Sequence, residues 1–214
     1  MPKLTDEAFA SRRDHILWSA LRCFARQGFH STSMAQVIAE SGVSAGSVYR
    51  YFPSKADLIL AAGDWVLGRV LDAADEAVAI RDEASPVAVM RVVFERIHEN
   101  LHPDGEDRSV VALSVWQEAT RDARVAAMLQ HNYGELRARV RVLVVRWRDA
   151  GHLPVSTDAD GLATALFALI PGLIVQHHAL GAEIDSGAAF GAIEALFAGA
   201  EAAAHAARDQ AQDV

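Results

Sequence analysis

The part of the chain that most constrains the fold is residues 31–55, STSMAQVIAESGVSAGSVYRYFPSK. Ser33 can cap a short helix, because its hydroxyl accepts from a backbone N–H of the first turn. Three apolar residues then recur at the spacing of one helical face: Met34, Val37 and Ile38. Gly42 ends this helix, since glycine takes the left-handed conformation common after a helix. Ser44 can cap a second short helix over about residues 45–51, which Pro53 ends.

Two short helices around a glycine-containing turn form a helix-turn-helix, which places its second helix in the major groove of DNA. Only Val48 and Phe52 of that second helix are expected to point inward. The other side chains are small enough for close approach, or can bond phosphates and base edges. We therefore predict a set of DNA-binding residues: Ser33, Ser44, Ala45, Gly46, Ser47, Tyr49, Arg50, Tyr51 and Lys55.

Within this set we expect Ser33, Tyr51 and Lys55 to contact phosphates and to set the register. Lys55 stands at a helix start, where a cation opposes the helix dipole, and a nearby phosphate would remove that conflict. The alternative is a solvated lysine with no role. The residues expected nearer the base edges are Ser47, Tyr49 and Arg50.

Several spaced motifs within residues 10–60 resemble the TetR/AcrR family of bacterial transcriptional regulators. They are Gly28-Phe29, Thr32-Ser33, Ile38-Ala39, Gly42-Val43-Ser44, and the segments 46–52 and 55–58. The resemblance covers about a quarter of the chain; the remainder matches in length and helical character only. It implies an all-α homodimer that binds palindromic DNA and releases it when a small molecule enters the C-terminal domain.

The formal net charge of −8 is unevenly distributed. Residues 1–60 contain seven Lys/Arg and five Asp/Glu, whereas the rest contains thirteen and twenty-three. The basic share thus lies with the helix-turn-helix, and an acidic body would confine DNA contact to one face. Ordinary solubility charge explains the acidic body equally well.

The single cysteine, Cys23, excludes an intramolecular disulfide framework. It lies in an apolar helical pattern, so we expect a small core residue rather than a redox sensor. The first residues contain no signal-peptide apolar region, and no uninterrupted apolar run reaches transmembrane length. We therefore expect a cytoplasmic protein without a membrane partner.

Helix periodicity and breakers predict an all-α fold of about nine helices. We expect a three-helix helix-turn-helix DNA-binding domain at residues 1–55 and a ligand-binding and dimerisation domain at residues 56–214. The last two helices, about 158–180 and 186–205, are apolar on more than one side. That pattern is expected of helices packed against both their own domain and a partner subunit, although the two could also simply close the monomer core.

The regulatory domain is expected to contain an apolar cavity with a few polar groups. Candidate ligand contacts are aromatic or polar residues at otherwise apolar helical positions, each of which is more commonly a core or surface residue. They are Trp65, Phe94, His98, Trp116, Gln117, Met128, His131, Tyr133, Phe167, Gln176 and His177. The aromatic members suit a flat or hydrophobic ligand, and an acid such as Glu118 would favour a cation.

The nine histidines raise the question of a metal or catalytic site. His177 and His178 are adjacent, so on a helix they should diverge by about 100°. The sequence contains no HExxH, no CxxC and no Walker-type glycine loop. We therefore expect no catalytic residue, no metal and no cofactor.

These observations predict a DNA-binding transcriptional regulator, a repressor that a small-molecule ligand releases from its operator. Its expected partners are a palindromic double-stranded operator, a second copy of itself and an unidentified ligand. The alternative is a helical small-molecule binder or enzyme with a vestigial DNA-binding head, against which the intact motif at residues 42–52 argues. An activator or a constitutive architectural DNA binder would share the same head.

Overall fold

The computed structural model describes residues 6–79, 86–101, 107–183, 188–189, 191–200 and 202. Within these ranges all regular secondary structure is α-helical, which confirms the predicted fold class. Nine helices are present there: α1 (Asp6–Gln27), α2 (Met34–Ser41), α3 (Ala45–Tyr51), α4 (Lys55–Ala79), α5 (Pro86–Leu101), α6 (Val110–Ala119), α7 (Ala123–Ala150), α8 (Ala159–Leu180) and α9 (Gly191–Ala200).

Helix α7 ends just before a glycine, and α8 begins at an aspartate cap. Gly151 follows α7 with a φ of 89°, a left-handed conformation that glycine adopts without steric cost. Asp158 caps α8, because its carboxylate accepts from the backbone N–H of Asp160. Gly63 does not interrupt α4, and a side chain there would meet Met128 and Val115. Glycine at this position therefore allows α4 to pack closely within its unit.

The chain divides into two compact units. The first unit comprises Met1–Leu67 with Leu101–Gln130, and the second comprises Gly68–Asn100 with His131–Val214. This division reflects packing density and differs from the functional boundary expected at residue 55. That functional boundary stays a prediction.

The core of the first unit is built on one face of α1. An apolar stripe of this helix is buried, with Ile16 and Ala20 fully excluded from solvent. The rings of Phe24 and Phe29 meet edge to face, with centroids 5.3 Å apart. Cys23 is buried in the same core, and this burial raises the pKa of its thiol.

The core of the second unit surrounds Trp147 of α7. Its ring lies 5.9 Å from that of Phe197 in α9, and the two are packed with buried aliphatic residues. These are Ala77, Val89, Leu143, Val144, Leu153 and Ala159.

Helix α8 is the one described helix that is long and apolar enough to span a membrane by length and composition. Its mean hydropathy reaches 1.6, yet only 11% of the apolar window is buried within the chain. Leu180 is 72% exposed, and Leu196 in α9 is 75% exposed. The last two helices therefore leave large apolar side chains uncovered in the single chain.

Candidate nucleic-acid interface

The first helix of the predicted helix-turn-helix is capped at both ends as expected. Ser33 and Gln36 form a capping box, in which the backbone N–H of Gln36 donates to the Ser33 hydroxyl at 3.3 Å. In return the Ser33 amide donates to the Gln36 side-chain oxygen at 2.7 Å. Gly42 follows α2 with a φ of 63° and donates its amide to Ala39. These contacts fix where α2 begins and where the chain turns toward α3.

The turn between α2 and α3 is held by Ser41 and by a histidine of α1. The Ser41 hydroxyl donates to the Ile38 carbonyl at 3.0 Å and accepts from the Val43 amide at 3.2 Å. His15 Nε2 lies 2.8 Å from the Ser41 carbonyl oxygen, which only an N–H tautomer can satisfy. His15 was not among the predicted site residues, because a lone histidine in a helix does not indicate which carbonyl it reaches.

Helix α3 is anchored on one side and open on the other. Val48 and Phe52 are 0% and 2% exposed, as predicted. The opposite face presents four exposed residues, Ala45, Gly46, Tyr49 and Arg50, with Tyr49 48% exposed. The buried side chains fix the helix. Its exposed face has small residues at the start and polar residues toward the end, so another molecule can approach it closely.

The start of α3 differs from the prediction in one respect. Ser44 precedes the helix but forms no side-chain cap hydrogen bond. Its hydroxyl donates instead to the Ser47 hydroxyl at 3.2 Å. The predicted Ser44 cap is therefore wrong, and the helix depends on its buried side for stability. Both serines remain beside the open face, Ser44 exposed and Ser47 half-buried.

Aromatic contacts with α1 hold the end of α3. The half-buried Tyr51 ring lies 4.4 Å from the ring of Phe9, and the Arg50 guanidinium carbon lies 5.7 Å from the same Phe9 centroid. The Arg13 guanidinium lies over Phe52 at 5.3 Å. The side chains at the end of α3 are thus packed against α1 rather than freely solvated.

Lys55 has a different environment from the one that the sequence suggested. Its ammonium donates to the carbonyl oxygens of Phe29 at 2.8 Å, His30 at 3.1 Å and Thr32 at 2.9 Å. Burial lowers the pKa of Lys55, and the carboxylate of Glu118 opposes that shift. An ammonium has three N–H donors, so these carbonyls engage its whole donor capacity. The conflict with the helix dipole is relieved from within the chain.

Two arginines of α1 fix α2 through a shared carboxylate. Arg26 lies 2.6 Å and Arg22 lies 2.9 Å from the oxygens of Glu40. The hydrogen bond from Arg26, followed by the one from Arg22, lowers the pKa of Glu40. This pairing orients the helix that precedes the turn.

The junction of α6 and α7 also contacts the helix-turn-helix within the first unit. Asp57, at the start of α4, accepts from Ser54 at 2.7 Å and from Arg124 at 2.9 Å. These hydrogen bonds, that of Ser54 first, lower the pKa of Asp57. Arg121 lies 3.5 Å from the His30 ring. The segment that joins α6 to α7 is therefore linked to both α4 and the loop after α1.

Four of the predicted ligand contacts lie in the first unit. The ring of Trp65 meets that of Trp18 edge to face, with centroids 4.7 Å apart. The guanidinium carbon of the buried Arg108 also lies 4.7 Å from the Trp18 ring. Trp116 and Met128 are half-buried, whereas Gln117 is exposed. The aromatic candidate Trp65 thus belongs to a packed cluster of tryptophans and arginine.

The remaining candidates lie in the second unit. Phe167 packs against Tyr133 at 4.9 Å, and Phe94 is half-buried. The side chain of His98 lies outside the described residues. Three candidates are exposed: His131, Gln176 and His177. The described structure does not bring these side chains together as one lining.

The rings of His177 and His178 lie 4.6 Å apart, although adjacent positions on a helix diverge by about 100°. Free side-chain torsions bring adjacent residues together even where their Cα–Cβ bonds diverge.

A surface cleft of about 390 Å³ in the second unit is lined mainly by charged residues and contains no predicted ligand contact. Its lining is Arg69, Asp72, Ala73, Asp75, Glu76 and Arg96.

Two models of known protein families match the chain, and one of them covers the helix-turn-helix. The model of the TetR family of bacterial regulatory proteins matches residues 16–62, and that of the BetI-type transcriptional repressor C-terminal region matches residues 93–200. The chain belongs to the TetR family. The first match covers α2, the turn and α3, and the second covers half of the chain.

Individual proteins agree with this assignment over most of their lengths. The regulator BetI of Rhizobium meliloti is 30% identical over 190 residues, which cover 86% of each chain. A transcriptional regulator from Pseudomonas aeruginosa PAO1 has a TM-score of 0.73 at 26% identity, over 95% of both chains. A regulator from Saccharomonospora viridis, solved with choline, has a TM-score of 0.60 at 29% identity, over 78% of this chain and 85% of that one.

The protein is therefore a DNA-binding, ligand-responsive transcriptional regulator, as the sequence predicted. Its α2 and α3 form the helix-turn-helix of the family match. The individual DNA-contact and ligand-contact residues stay predictions.

Proposed function

We propose that the protein is a repressor that binds a palindromic operator as a homodimer and is released by a small molecule. One observation carries the proposal: α3 is buried through Val48 and Phe52, while Tyr49 and Arg50 are exposed on its other side. This division is what a recognition helix needs, because one face must hold its angle while the other enters the groove.

Each exposed group of α3 has a distinct part in this proposal. Ala45 and Gly46 permit close approach of the helix start to the DNA. Tyr49 and Arg50 contact base edges or adjacent phosphates. Ser33, at the start of α2, lies beside a phosphate, where helix N–H groups and the dipole favour an anion. Lys55 acts mainly through its hydrogen bonds to the loop after α1, and its charge adds a favourable field for the phosphates.

The second copy covers the apolar surface of α8 and α9. Leu169 and Val175 are each 38% exposed, and Leu180 and Leu196 are more exposed still. Exposed apolar side chains on two consecutive helices are typical of an isologous dimer interface. A membrane that covered α8 would not account for the exposed apolar side chains of α9, which is too short to span one.

The ligand would act on DNA binding through the first unit. The Arg124–Asp57 ion pair joins the start of α7 to the start of α4. A ligand that displaces α6 or α7 would change the position of α4 relative to α3, and a coupling of about 1–3 kcal/mol is sufficient for regulation. The candidate contacts Trp65, Trp116 and Met128 lie within α4, α6 and α7 respectively. The proposal assigns no catalytic residue, and it places the protein in the cytoplasm with the chromosome.

Fluorescence anisotropy tests the proposal on DNA from upstream of the protein's own gene. Unrelated DNA of equal length is the control, and both are titrated over a salt series. Selective binding at physiological salt supports a regulator, and the same complex then serves to screen for ligands that release it. Equal binding to both DNAs that disappears with salt would indicate phosphate contact alone. A genomic DNA pool repeats the test, and failure to enrich any sequence would contradict the proposal.

A further inference from the structure

The aromatic ring of Phe9 contacts two adjacent residues at the end of the recognition helix. It lies 4.4 Å from the ring of Tyr51, at an interplanar angle of 43°, and 5.7 Å from the guanidinium carbon of Arg50. Phe9 belongs to the first turns of α1 and is half-buried, whereas Arg50 is exposed. One side chain of α1 therefore touches both residues that follow Tyr49.

The chemistry of this contact leaves Arg50 able to bind DNA. A guanidinium that stacks on an aromatic ring uses its planar face for the cation–π contact. Its five N–H donors lie in the guanidinium plane, so they stay available to phosphate oxygens or to a guanine edge. A lysine ammonium has no such division between face and edge.

The contact also acts on the entropy of binding. An exposed arginine loses rotamer freedom when it is fixed against DNA, and that loss weakens binding. A side chain already held against a ring has less freedom to lose.

We propose that Phe9 is a positioning residue for DNA recognition, which holds the Arg50 guanidinium with its N–H edge toward the DNA. This inference rests on the proposed function, since it requires that Arg50 contacts the operator. Phe9 itself touches no DNA in this account, and its effect passes through Arg50.

The test compares operator affinity and thermal stability of full-length variants. Phe9→Leu keeps an apolar side chain and removes the ring, while Phe9→Tyr keeps the ring. Because the contact is already present in the free protein, its energy is an upper limit on the effect. Phe9→Leu should therefore weaken operator binding by about two-fold, and by no more than about five-fold, per subunit. Phe9→Tyr should retain the wild-type affinity.

A double-mutant cycle with Arg50→Met separates positioning from packing. In the Arg50→Met background, Phe9→Leu should have little further effect on affinity. An equal loss in both backgrounds would place the role of the ring in general packing and overturn the inference, as would wild-type affinity of Phe9→Leu or a Phe9→Tyr variant as weak as Phe9→Leu. If Arg50→Met alone leaves affinity unchanged, the Arg50 contact of the proposed function fails; if only the Phe9 variants are neutral, the inference alone fails.

Discussion

The ammonium nitrogen of Lys55 donates a hydrogen bond to the carbonyl oxygen of Phe29, 2.8 Å away. The same ammonium lies 4.4 Å from the centroid of the Phe29 ring. With its two further carbonyl partners, Lys55 joins the start of α4 to the loop that leads into α2. A residue whose type and position suggest a phosphate contact thus holds the DNA-binding head together.

Substitution of Lys55 tests this structural role. Lys55→Met should lower the free energy of unfolding by about 1–3 kcal/mol, because charge-assisted hydrogen bonds to three carbonyls are lost. Urea unfolding measures the loss. Arg12→Met, which removes a positive charge from an exposed position of α1, is the matched control and should change stability little. If Lys55→Met is as stable as the wild type, Lys55 has no structural role, and DNA contact is the only role left for it.

Gly46 allows stability and DNA binding to be separated. It is exposed in α3, and a Cβ added there meets no atom within 4 Å. Gly46→Ala should therefore raise stability by about 0.5–1 kcal/mol through helix propensity. The same methyl group should weaken operator binding, because it stands on the face that approaches DNA.

Gly42→Ala is the counterpart of that substitution. Its φ of 63° is left-handed, so alanine there should lower stability by about 1–2 kcal/mol, although space is available for the methyl group. In thermal unfolding, Gly46→Ala should be the more stable of the two variants. In anisotropy, Gly46→Ala should be the weaker operator binder. A Gly46→Ala variant with unchanged operator affinity would show that the start of α3 does not approach DNA.

Tyr49 should be required for binding and dispensable for folding. It is 48% exposed and lies on the open face of α3. Tyr49→Ala should weaken operator binding by about five- to 150-fold, which corresponds to about 1–3 kcal/mol for a specific base contact, and should leave the melting temperature unchanged. Tyr49→Phe distinguishes the hydroxyl from the ring. Full affinity of Tyr49→Ala at physiological salt would remove this residue from the interface.

The apolar surface of the last two helices predicts how the chain associates. Leu196→Glu should convert a dimer into a monomer in sedimentation velocity, because a carboxylate would be buried in the interface. Val155 is 79% exposed in the segment between α7 and α8, so Val155→Glu is the control and should leave the dimer intact. A Leu196→Glu protein that sediments as wild type would place the interface elsewhere.

The Glu40 pair predicts a loss of stability in acid. Because its arginine partners lower the pKa of Glu40 below the ordinary 4.5, the folded state favours the carboxylate. Its contribution is present above that pH and is lost as the pH falls through the lowered value. Urea unfolding from pH 7 to pH 3 should show that Glu40→Gln is less stable near neutrality and that the difference shrinks in acid. A difference that does not change with pH would contradict this assignment.

The helix-turn-helix could be predicted because local chemistry determines it. Ser33, Gly42 and the spacing of Val48 and Phe52 act within a few residues of one another, so their pattern is legible in sequence. The partners of Lys55 and His15 lie 23 to 26 residues away, and only the packing of α1 determines them. Its position at a helix start marks Lys55 as unusual in the sequence, but the carbonyls that it bonds are evident only from the fold.

The ligand contacts were the least accessible to sequence reasoning. An aromatic residue at an apolar helical position, such as Trp65 or Phe167, has the same pattern whether it lines a cavity or packs against a neighbouring ring. In the described structure both of these residues contact another aromatic ring. Periodicity identifies the buried face of a helix but does not say whether that face encloses a cavity.

A hydroxyl-radical footprint of the operator tests the central claim most directly. If two copies of α3 enter the DNA from a symmetric dimer, protection should fall on two half-sites of inverted sequence. Their centres should be separated by one helical turn of about 10–10.5 base pairs or a multiple of it. Tyr49→Ala should abolish this protection. A footprint without inverted half-sites, or one that Tyr49→Ala leaves unchanged, would contradict the claim that α3 of a dimer reads the operator.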